Sequence, residues 1–552
     1  MPTTQPPYYI TTPIYYVNDR PHVGSCYTTL LADCAARFMR AAGRPVFFLT
    51  GTDEHGQKVE KSAASRGLTP KALADENAAH FKTAFQFLHC SFDHFIRTTD
   101  AAHEAQVQEA LRRLIKSGDV YLGTFEGWYD EGQEEYVTEN QAREKNFKAF
   151  NGQPLVKAKE HNYYFRLSAF QKRLEEFFEK NPGFVRPEAR RNEVLGRFKE
   201  GLQDVPVSRT SFTWGVPFPK EIEGADRHVT YVWIDALFNY ITALDLLSVS
   251  PAPGGGDVAP RQRGQPPLAS FWPAQVHAIG KEILWFHAVI WPALLMALNL
   301  PTPHCIYAHS FWIRDGKKMS KSLGNFIDLE TIHAYCNAFS VDAWRWFMLT
   351  QGPIEATDAD FSHPKFVEAY NADLANGIGN ASSRVLNMIE KYFAGAVPDP
   401  QGNSNHAGHD WPALAQSSLA SATSAMEHFD LAGALAAAMS LSKRVDAYIV
   451  ATEPYRMAKD QAKMPEVGLV LYHCAEALRI AATLLACAMP AKMSDVLQRF
   501  GQEPPRPDGS FSRPLSELCK WGGLKPGTRV VKGEGLFPRA DSDAPPPTPT
   551  PP

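Results

Sequence analysis

The sequence has no pair of cysteines at the short spacing that metal knuckles and disulfide frameworks use. Eight cysteines are scattered along 552 residues, and none lies between Cys90 and Cys305. Isolated cysteines favour a reducing compartment and argue against a disulfide-rich secreted domain. Because the middle of the chain lacks thiolates and His161 alone cannot complete a four-coordinate site, we expect no structural zinc.

The sequence also has little net charge and no long uninterrupted apolar run. Its net charge of −4 gives no global basic field, so a nucleic-acid partner would have to be bound by local patches. The longest apolar stretch, Ile283–Leu300, contains His287, Pro292 and Asn299, which favours a buried helix over a membrane span. With no apolar signal core and no visible transit peptide at the N-terminus, we predict a soluble intracellular protein of the cytoplasm, a plastid or a mitochondrion.

Two elements of the sequence are suited to binding a polyphosphate. The first is the loop Lys318–Ser322 (KMSKS), which follows a strand-like run from His304 to Ile313. Lysine ammonium groups and hydroxyl donors on such a loop can position a transferring phosphoryl or nucleotidyl group and neutralise its charge. A basic turn of this kind is usually only a solvated surface loop, so its meaning depends on the second element.

The second element lies near the N-terminus, where a β-rich run leads into a turn and then a helical pattern. In the tetrapeptide His22–Ser25 (HVGS), Ser25 is predicted to cap the helix. A strand followed by a helix N-terminus presents backbone N–H groups and a positive dipole end to an anion. Gly24 lets the backbone approach a phosphate closely, and His22 can donate a hydrogen bond to it.

These elements resemble the HIGH and KMSKS signatures of class I aminoacyl-tRNA synthetases, and the chain resembles methionyl-tRNA synthetases from about Tyr8 to Arg539. Five further stretches match that family in its order: Thr12–Asn18, Gly51–Gly56 (GTDEHG), Ser208–Pro217, Tyr231–Ala236 (YVWIDA) and Ile279–His287. One departure is Ser25, which stands where the HIGH motif has its second histidine. In this respect the chain resembles organellar and cyanobacterial members of the family.

The pattern of apolar residues predicts an α/β fold with a doubly wound, Rossmann-like parallel sheet and, after Pro364, an α-helical bundle. Helices are predicted at 70–89, 101–117 and 168–180, and strands at 228–233 and 276–280. Together with the resemblance, this pattern predicts a catalytic domain in two halves, 1–118 and 226–310, separated by a connective insertion at 119–225 (a knuckle without zinc). The second half contains a disordered loop at 250–267. It is followed by the KMSKS loop and linker domain at 311–365, the anticodon-binding bundle at 366–502, and an extended, mobile, Pro-rich tail at 503–552 that cannot bury a core.

A methionine pocket needs apolar walls, aromatic edges for the sulfur and a carboxylate for the ammonium group. The resemblance implies nine residues for this pocket: Ile14, Tyr16, Asp53, Trp233, Ala236, Tyr240, Ile283, His287 and Trp291. Helical spacing puts Trp233, Ala236 and Tyr240 on one face, and Ile283, His287 and Trp291 on another. Asp53, rather than Glu54, is expected to bind the ammonium. Taken alone, Trp233, Ile283 and Trp291 could each equally be ordinary core.

The resemblance also implies ATP as a substrate, accompanied by Mg²⁺. The methionine carboxylate would attack the α-phosphate of ATP, and the methionyl group would then pass to the 2′-hydroxyl of the terminal adenosine of tRNA(Met). His22, Gly24, Ser25, Lys318 and Lys321 are the expected catalytic residues, with His22, Gly24 and both lysines also binding ATP. Glu282 is expected beside the adenosine.

In the predicted bundle, Asn380 and Arg384 are four residues apart and match the anticodon readers of the family. Tyr455, after Pro454, stands where the family has a tryptophan that stacks on an anticodon base, and its ring can still stack. No appended domain follows the bundle, so a monomer is expected.

Two other functions fit the sequence less well. A leucyl-type synthetase normally needs a longer chain for editing, and a cysteinyl-type enzyme needs a cysteine-ligated zinc. A non-catalytic tRNA-binding homologue, in which Ser25 marks decay, would have to retain the KMSKS loop without using it.

Overall fold

The computed structural model describes residues 5–130, 135–137, 139–144, 146–149, 152–222, 224–248, 266–314, 316–319 and 325–549. Its N-terminal part alternates strands with helices, and the elements are β1 (Tyr8–Tyr16), α1 (Val23–Ala41), β2 (Val46–Asp53), α2 (Gln57–Ser65), α3 (Pro70–Phe87), β3 (His94–Arg97) and α4 (Ala101–Lys116). Helices α3 and α4 fall where apolar periodicity predicts them. Most of the disordered loop predicted at 250–267 lies outside the described residues.

In its described residues, the predicted insertion combines an antiparallel sheet with three α-helices. Its elements are β4 (Val120–Asp130), β5 (Glu135–Val137), α5 (Glu139–Glu144), β6 (Val156–Phe165), a 3₁₀ turn (Leu167–Phe170), α6 (Gln171–Lys180), β7 (Val185–Arg186), α7 (Glu188–Phe198), β8 (Val205–Pro206) and β9 (Ser208–Arg209). Strands β5, β4, β6 and β8 form one sheet in that order.

The chain then returns to the sheet domain. The elements are β10 (Val229–Thr230), α8 (Val232–Thr242), a 3₁₀ turn (Leu268–Phe271), β11 (Val276–Gly280), a 3₁₀ turn (Lys281–Ile283), a π-helical turn (Phe286–Ile290), α9 (Trp291–Ala297), β12 (Ile306–His309), β13 (Trp312–Arg314), β14 (Lys317–Lys318), α10 (Leu329–Phe339), α11 (Val341–Gln351) and β15 (Ala359–Phe361).

The remaining elements are mostly helical. They are α12 (His363–Ala369), a π-helical segment (Tyr370–Gly379), α13 (Asn380–Phe393), β16 (Asn405–His406), β17 (His409–Asp410), α14 (Trp411–Glu427), α15 (Leu431–Thr452), α16 (Pro454–Met457), a 3₁₀ turn (Gln461–Lys463), α17 (Met464–Leu485), α18 (Pro490–Arg499) and α19 (Leu515–Leu518).

The central sheet has six parallel strands in the order β3-β2-β1-β11-β12-β7, which confirms the predicted doubly wound fold. The strand order reverses between β1 and β11. In such sheets ligands bind outside the carboxyl ends of the strands at this reversal. The edge strand β7 comes from residues predicted to belong to the insertion, so the insertion also completes the main sheet.

Apolar residues of the sheet alternate between two cores. Ile10 and Phe48 face α1 and the helical bundle, whereas Tyr9 and Leu49 face α8, α9 and the insertion. Burial of both faces explains why the strands are continuously apolar rather than alternating with polar residues. The first core continues without a break from the sheet through Trp344 of α11 into the bundle.

A buried arginine connects the sheet domain to the bundle. Arg345 of α11 donates to the Asp33 carboxylate of α1 at 2.7 Å and to the carbonyls of Leu88, Cys487 and Ala488 at 2.9, 3.0 and 2.8 Å. Burial alone would raise the pKa of Asp33, but Arg37 and Arg345 hold it at about 2. This ion pair therefore joins α1, α11 and the end of α17.

Two strand predictions were wrong in detail. The run 228–233 gives only the short strand β10, which pairs with β9 outside the main sheet, because α8 already begins at Val232. The run His304–Ile313 gives two strands, of which β12 belongs to the main sheet and β13 to a three-stranded sheet with β14 and β15. Hydrophobicity detects the buried segments but not which sheet they join.

The prediction that the segment after 503 cannot bury a core was wrong for most of its length. Leu515, Leu524 and Leu536 are buried, and the Trp521 ring stacks on Trp411 of α14 with centroids 5.9 Å apart. Arg37 of α1 donates to the Pro507 carbonyl at 2.9 Å. The segment has little regular structure, but Leu515, Leu524 and Leu536 belong to the same hydrophobic core as the helices of the bundle.

One helical stretch, Gln461–Leu485, is long and apolar enough to cross a membrane by length and composition, and 94% of its most apolar window is buried inside the protein. It is the central helix of the bundle, in contact with α13, α14 and α15.

Candidate active site

A cavity of about 340 Å³ lies at the carboxyl ends of β1 and β11, where the strand order reverses. It brings together residues from distant parts of the chain. The predicted site residues that line it are Ile14, Tyr16, His22, Gly24, Ser25, Asp53, Trp233, Ala236, Tyr240, Glu282, Ile283 and His287. Thr28, Lys58, His309 and Trp312 line it as well, although the sequence did not single them out.

One end of the cavity is the N-terminus of α1. His22, not Ser25, is the N-cap: its backbone is extended and its Nδ1 accepts a hydrogen bond from the Gly24 N–H at 3.0 Å. Because Nδ1 is the acceptor, neutral His22 carries its proton on Nε2. A side chain at Gly24 would place its Cβ 2.9 Å from the His22 ring, so the glycine is required by this close contact.

The prediction that Ser25 is the N-cap is therefore corrected by one turn. Ser25 is the third residue of the helix, where its Oγ accepts from the His22 N–H at 3.1 Å and donates to the His22 carbonyl at 2.9 Å. The His22 side chain bonds to the backbone of the first helical turn and the Ser25 side chain bonds back to the His22 N–H, which together form a capping box. The residue that departs from the HIGH motif thus holds the first histidine in place.

We expect the substitution Ser25→Ala to lower the free energy of unfolding by about 1 kcal/mol, because it removes half of the capping box. Urea denaturation followed by circular dichroism measures this change. Ser65→Ala, in an exposed serine at the end of α2, is the matched control and is expected to change stability by less than about 0.5 kcal/mol. Equal stability of the two variants would show that the capping box contributes nothing.

The second turn of α1 is tied to the end of β12. The Thr28 hydroxyl lies 2.7 Å from His309 Nε2, and His309 Nδ1 lies 2.8 Å from the Ser310 carbonyl. Since only a protonated Nδ1 can donate to that carbonyl, Nε2 accepts from Thr28. Burial lowers the pKa of His309 to about 4, which keeps this ring neutral. His309 belongs to the strand-like run before the KMSKS loop, but nothing in its local sequence marks it.

The opposite end of the cavity has an aromatic wall. The Trp233 ring stacks on Phe286 with centroids 4.0 Å apart, and Tyr16 meets Trp233 edge to face at 6.4 Å. Trp233, Ala236 and Tyr240 all lie on α8 and face the cavity, as their spacing predicts. Such a wall suits an apolar, polarizable ligand group.

A hydrogen-bond chain fixes the floor of this wall. The Tyr240 hydroxyl lies 2.7 Å from His287 Nε2, while His287 Nδ1 lies 3.0 Å from the Ile283 carbonyl. The carbonyl can only accept, so Nδ1 carries the proton and Nε2 accepts from Tyr240. Burial lowers the pKa of His287 to about 4. His287 is therefore a neutral group that holds the tyrosine hydroxyl in one direction.

Trp291 is separated from the cavity by one layer of side chains. The π-helical turn Phe286–Ile290 adds a residue between His287 and Trp291, so the expected common face with Ile283 and His287 does not extend to the tryptophan. Its Nε1 lies 3.3 Å from His277 Nε2, and the His277 ring stacks on Tyr240 at 4.1 Å. Trp291 thus contacts the wall from behind.

The two neighbouring acids at the end of β2 have different environments. Asp53 lines the cavity, and its backbone pairs with Tyr16 of β1. Glu54 is fully buried away from the cavity and is bound by Arg97 at 2.6 and 2.9 Å and by Thr52 at 2.7 Å. Asp53 is consequently the acid that a ligand can reach.

Glu282 stands at the mouth of the cavity on the 3₁₀ turn after β11. A side chain at Gly280 would place its Cβ 2.3 Å from the Glu282 carboxylate. Glycine at this position therefore leaves the space that the carboxylate occupies. Of the two loop lysines, Lys321 and the side chain of Lys318 lie outside the described residues. Their predicted contact with a ligand remains a prediction.

The predicted anticodon residues lie in the bundle. Asn380 is exposed at the start of α13, and Arg384 forms an ion pair with Asp446 of α15 at 3.5 Å. Tyr455 is 42% exposed on α16, directly after α15, so its ring is accessible for stacking. Within the described ranges no three His, Cys, Asp or Glu side chains are grouped closely enough to hold a metal ion.

Comparisons with known proteins agree with each other. A family model described as tRNA synthetases class I (M) matches residues 8–148 and 146–386. A methionine–tRNA ligase of Halalkalibacterium halodurans is 40% identical, covering 98% of this chain and 79% of the relative, and one of Caldanaerobacter subterraneus is 41% identical, covering 97% and 79%. A Mycobacterium tuberculosis methionyl-tRNA synthetase solved with methionyl-adenylate has a TM-score of 0.86 and 36% identity, covering 97% of this chain and all of that one.

Proposed function

The chain belongs to the class I methionyl-tRNA synthetases and is a methionine–tRNA ligase, and on that premise we propose how its cavity carries out the two steps. The observation that carries the proposal is the juxtaposition of the α1 N-terminus, an aromatic wall and the Asp53 carboxylate around one cavity. These three features suit a polyphosphate, a thioether side chain and an ammonium group in that order.

In the first step the methionine carboxylate oxygen attacks the α-phosphorus of ATP. A new P–O bond forms, the bond to pyrophosphate breaks, and methionyl-adenylate remains. His22 presents its Nε2 proton, and the N-terminus of α1 presents the positive end of its dipole to the phosphates. Gly24, whose N–H is bonded to His22 Nδ1, leaves room for the His22 ring. Ser25 acts indirectly by keeping His22 in its capping geometry.

The remaining phosphate contacts are proposed from the sequence motifs. Lys318 and Lys321 neutralise charge on the leaving pyrophosphate, and Mg²⁺ enters with ATP, bound largely through the phosphates themselves. Glu282 lies beside the adenosine. We propose that the protein holds no zinc.

Methionine occupies the aromatic end of the cavity. Its thioether contacts Ile14, Trp233, Ala236 and Ile283, its ammonium group pairs with Asp53, and Tyr16 closes the pocket. Tyr240 and His287 form the floor, with Trp291 supporting them through His277. A smaller aliphatic amino acid leaves part of this cavity empty, and packing then rejects it by about 1–3 kcal/mol per missing methylene.

In the second step the 2′-hydroxyl of the terminal adenosine of tRNA(Met) attacks the methionyl carbonyl, and AMP leaves. No protein side chain is required as a general base. Asn380 and Arg384 bind unstacked anticodon bases with amide and guanidinium groups, and Tyr455 stacks on one of them. We propose a soluble intracellular monomer; a bacterial cytoplasm and an organelle interior fit the chain equally.

We expect Tyr240→Phe to raise the KM for methionine by about fivefold to tenfold, because it removes one buried hydrogen bond and leaves His287 Nε2 without its donor, a loss of ~1 kcal/mol. Steady-state pyrophosphate exchange at varied methionine measures it, with KM for ATP as the internal control. An unchanged methionine KM would remove Tyr240 and His287 from the floor of the pocket.

The test of the function itself is amino-acid-dependent exchange of labelled pyrophosphate into ATP, without tRNA, across all twenty amino acids. Exchange with methionine alone is expected. Exchange with a different amino acid would overturn the pocket assignment, and no exchange with any amino acid would leave a tRNA-binding homologue without catalysis.

A further inference from the structure

The two parts of the cavity that hold opposite ends of methionine come from segments that are not joined in the central sheet. Asp53 ends β2, whereas Trp233, Ala236 and Tyr240 lie on α8. Helix α8 follows a short strand of a separate sheet. Side-chain contacts must therefore fix the distance between the Asp53 carboxylate and the residues of α8 that line the cavity.

A group of three buried side chains, His55, Asp235 and His103, supplies such contacts. His55 follows Asp53 by two residues, and its Nδ1 lies 2.7 Å from Asp235 Oδ2 on α8. His103 of α4 has its Nε2 2.8 Å from Asp235 Oδ1 and its Nδ1 2.7 Å from the Thr242 hydroxyl near the end of α8. The Asp235 carboxylate of α8 is thus bound by His55, from the segment after β2, and by His103 of α4.

This group lies behind the cavity wall, and its members are at most 2% exposed. None of the three residues lines the cavity. Asp235 is next to Ala236, which does line it, so a shift of the carboxylate moves the wall directly. Trp214 packs edge to face on the His55 ring at 5.5 Å and donates to the Glu54 carbonyl at 2.6 Å, which holds the segment after Asp53 from the other side.

The charges around His55 make the pair with Asp235 ionic. Burial alone would lower the pKa of His55, but Asp235, Glu104 and Glu54 together raise it above its usual value. Burial would raise the pKa of Asp235, yet His55 and the hydrogen bonds from both histidines bring it below its usual value. Glu104 lies 3.7 Å from His55 Nε2, and Glu54 is itself bound by Arg97.

We infer that His55 is a positioning residue for amino-acid recognition, which acts through Asp235 to hold the Asp53 carboxylate at a fixed distance from the wall of α8. A ligand with both an ammonium group and a thioether then finds both contacts already spaced. The inference rests on the proposed function, because it assigns those two groups to one substrate. The affinity of a ligand that contacts only the aromatic wall does not depend on the distance between Asp53 and this wall.

The test uses two unreactive probes and the full-length chain. Methioninol carries the ammonium group and the thioether, whereas 4-(methylthio)butanoate has the thioether but no ammonium group. In His55→Ala, methioninol is expected to bind about tenfold more weakly, since a misplacement of about 1 Å caused by a remote substitution can already cost up to about 10²-fold. Binding of the butanoate is expected to stay close to that of the unsubstituted protein. Isothermal titration calorimetry measures both.

Rescue by a conservative variant separates positioning from general destabilisation. In His55→Asn the side-chain amide can still donate to Asp235 from near the Nδ1 position, so methioninol affinity is expected to recover most of the loss. In pyrophosphate exchange, His55→Ala should raise the KM for methionine with little change in kcat or in the KM for ATP. If His55→Ala does not fold, Thr242→Ala takes its place, with a smaller loss of the same selectivity.

Three outcomes would overturn the inference: unchanged methioninol binding in the alanine variant, an equal loss for both probes, or a fall in kcat together with a matched rise in the KM values for methionine and ATP. Failure of the proposed function looks different, because the unsubstituted protein would then show no methionine-dependent exchange and no methioninol binding.

Discussion

Replacement of His22 by asparagine is expected to lower the rate of methionyl-adenylate formation by about 10²–10³ with little change in stability. The two halves of the imidazole have different tasks. Nδ1 accepts from the Gly24 N–H and caps α1, a task that an asparagine side-chain oxygen performs equally well. In the proposed mechanism Nε2 donates to the phosphates, and asparagine has no group at that distance from the backbone.

His22→Ala is the companion variant, because it removes both tasks at once. It should lose the same catalytic factor and, in addition, about 1 kcal/mol of unfolding free energy for the missing cap. Single-turnover adenylate formation and urea denaturation are the two measurements. A normal adenylation rate in His22→Asn would mean that the histidine serves only as a helix cap.

Replacement of Asp53 by asparagine should raise the KM for methionine by about 10²-fold, because a charge-assisted bond to an ammonium group contributes ~1.5–3 kcal/mol. The amide is similar in size, so the cavity keeps its shape, but its charge is gone and half of its polar surface now repels the ammonium. The KM for ATP should change little. Pyrophosphate exchange at varied methionine and ATP concentrations gives both constants.

Glu60→Gln is the control for Asp53→Asn. Glu60 lies on α2 outside the cavity, where it accepts a hydrogen bond from Thr213 at 3.1 Å, and its loss changes the net charge equally. A comparable rise in methionine KM for both variants would trace the effect to the overall field rather than to Asp53. An unaffected KM in Asp53→Asn would exclude this carboxylate from ammonium binding.

The sequence predicted those parts of the site whose pattern is local. The helical face of Trp233, Ala236 and Tyr240 follows from spacing on one regular helix, and it faces the cavity as predicted. Trp291 does not, because the π-helical turn before it breaks the spacing. Nearly all residues from Leu284 to Leu295 are apolar, so this run has no polar face whose shift would reveal the added residue.

Other features were not predictable because they depend on contacts between distant segments. His277, His309 and the group around Asp235 are polar residues within buried runs, and only the fold supplies their partners. The segment after 503 shows the same limit: its composition suggests an exposed chain, yet Leu515, Leu524 and Leu536 are buried against helices elsewhere in the sequence.

The unbroken apolar core between the central sheet and the bundle has a consequence for the tRNA. Arg345 and the surrounding core fix α1, which begins at the cavity, against α11 and α17. Among the described residues, the helix that carries the proposed anticodon-binding residues Asn380 and Arg384 therefore shares one packed core with the helix that begins at the cavity. In the proposed function this core sets a single distance between anticodon binding and charging, and a tRNA has to match that distance to bring its terminal adenosine into the cavity.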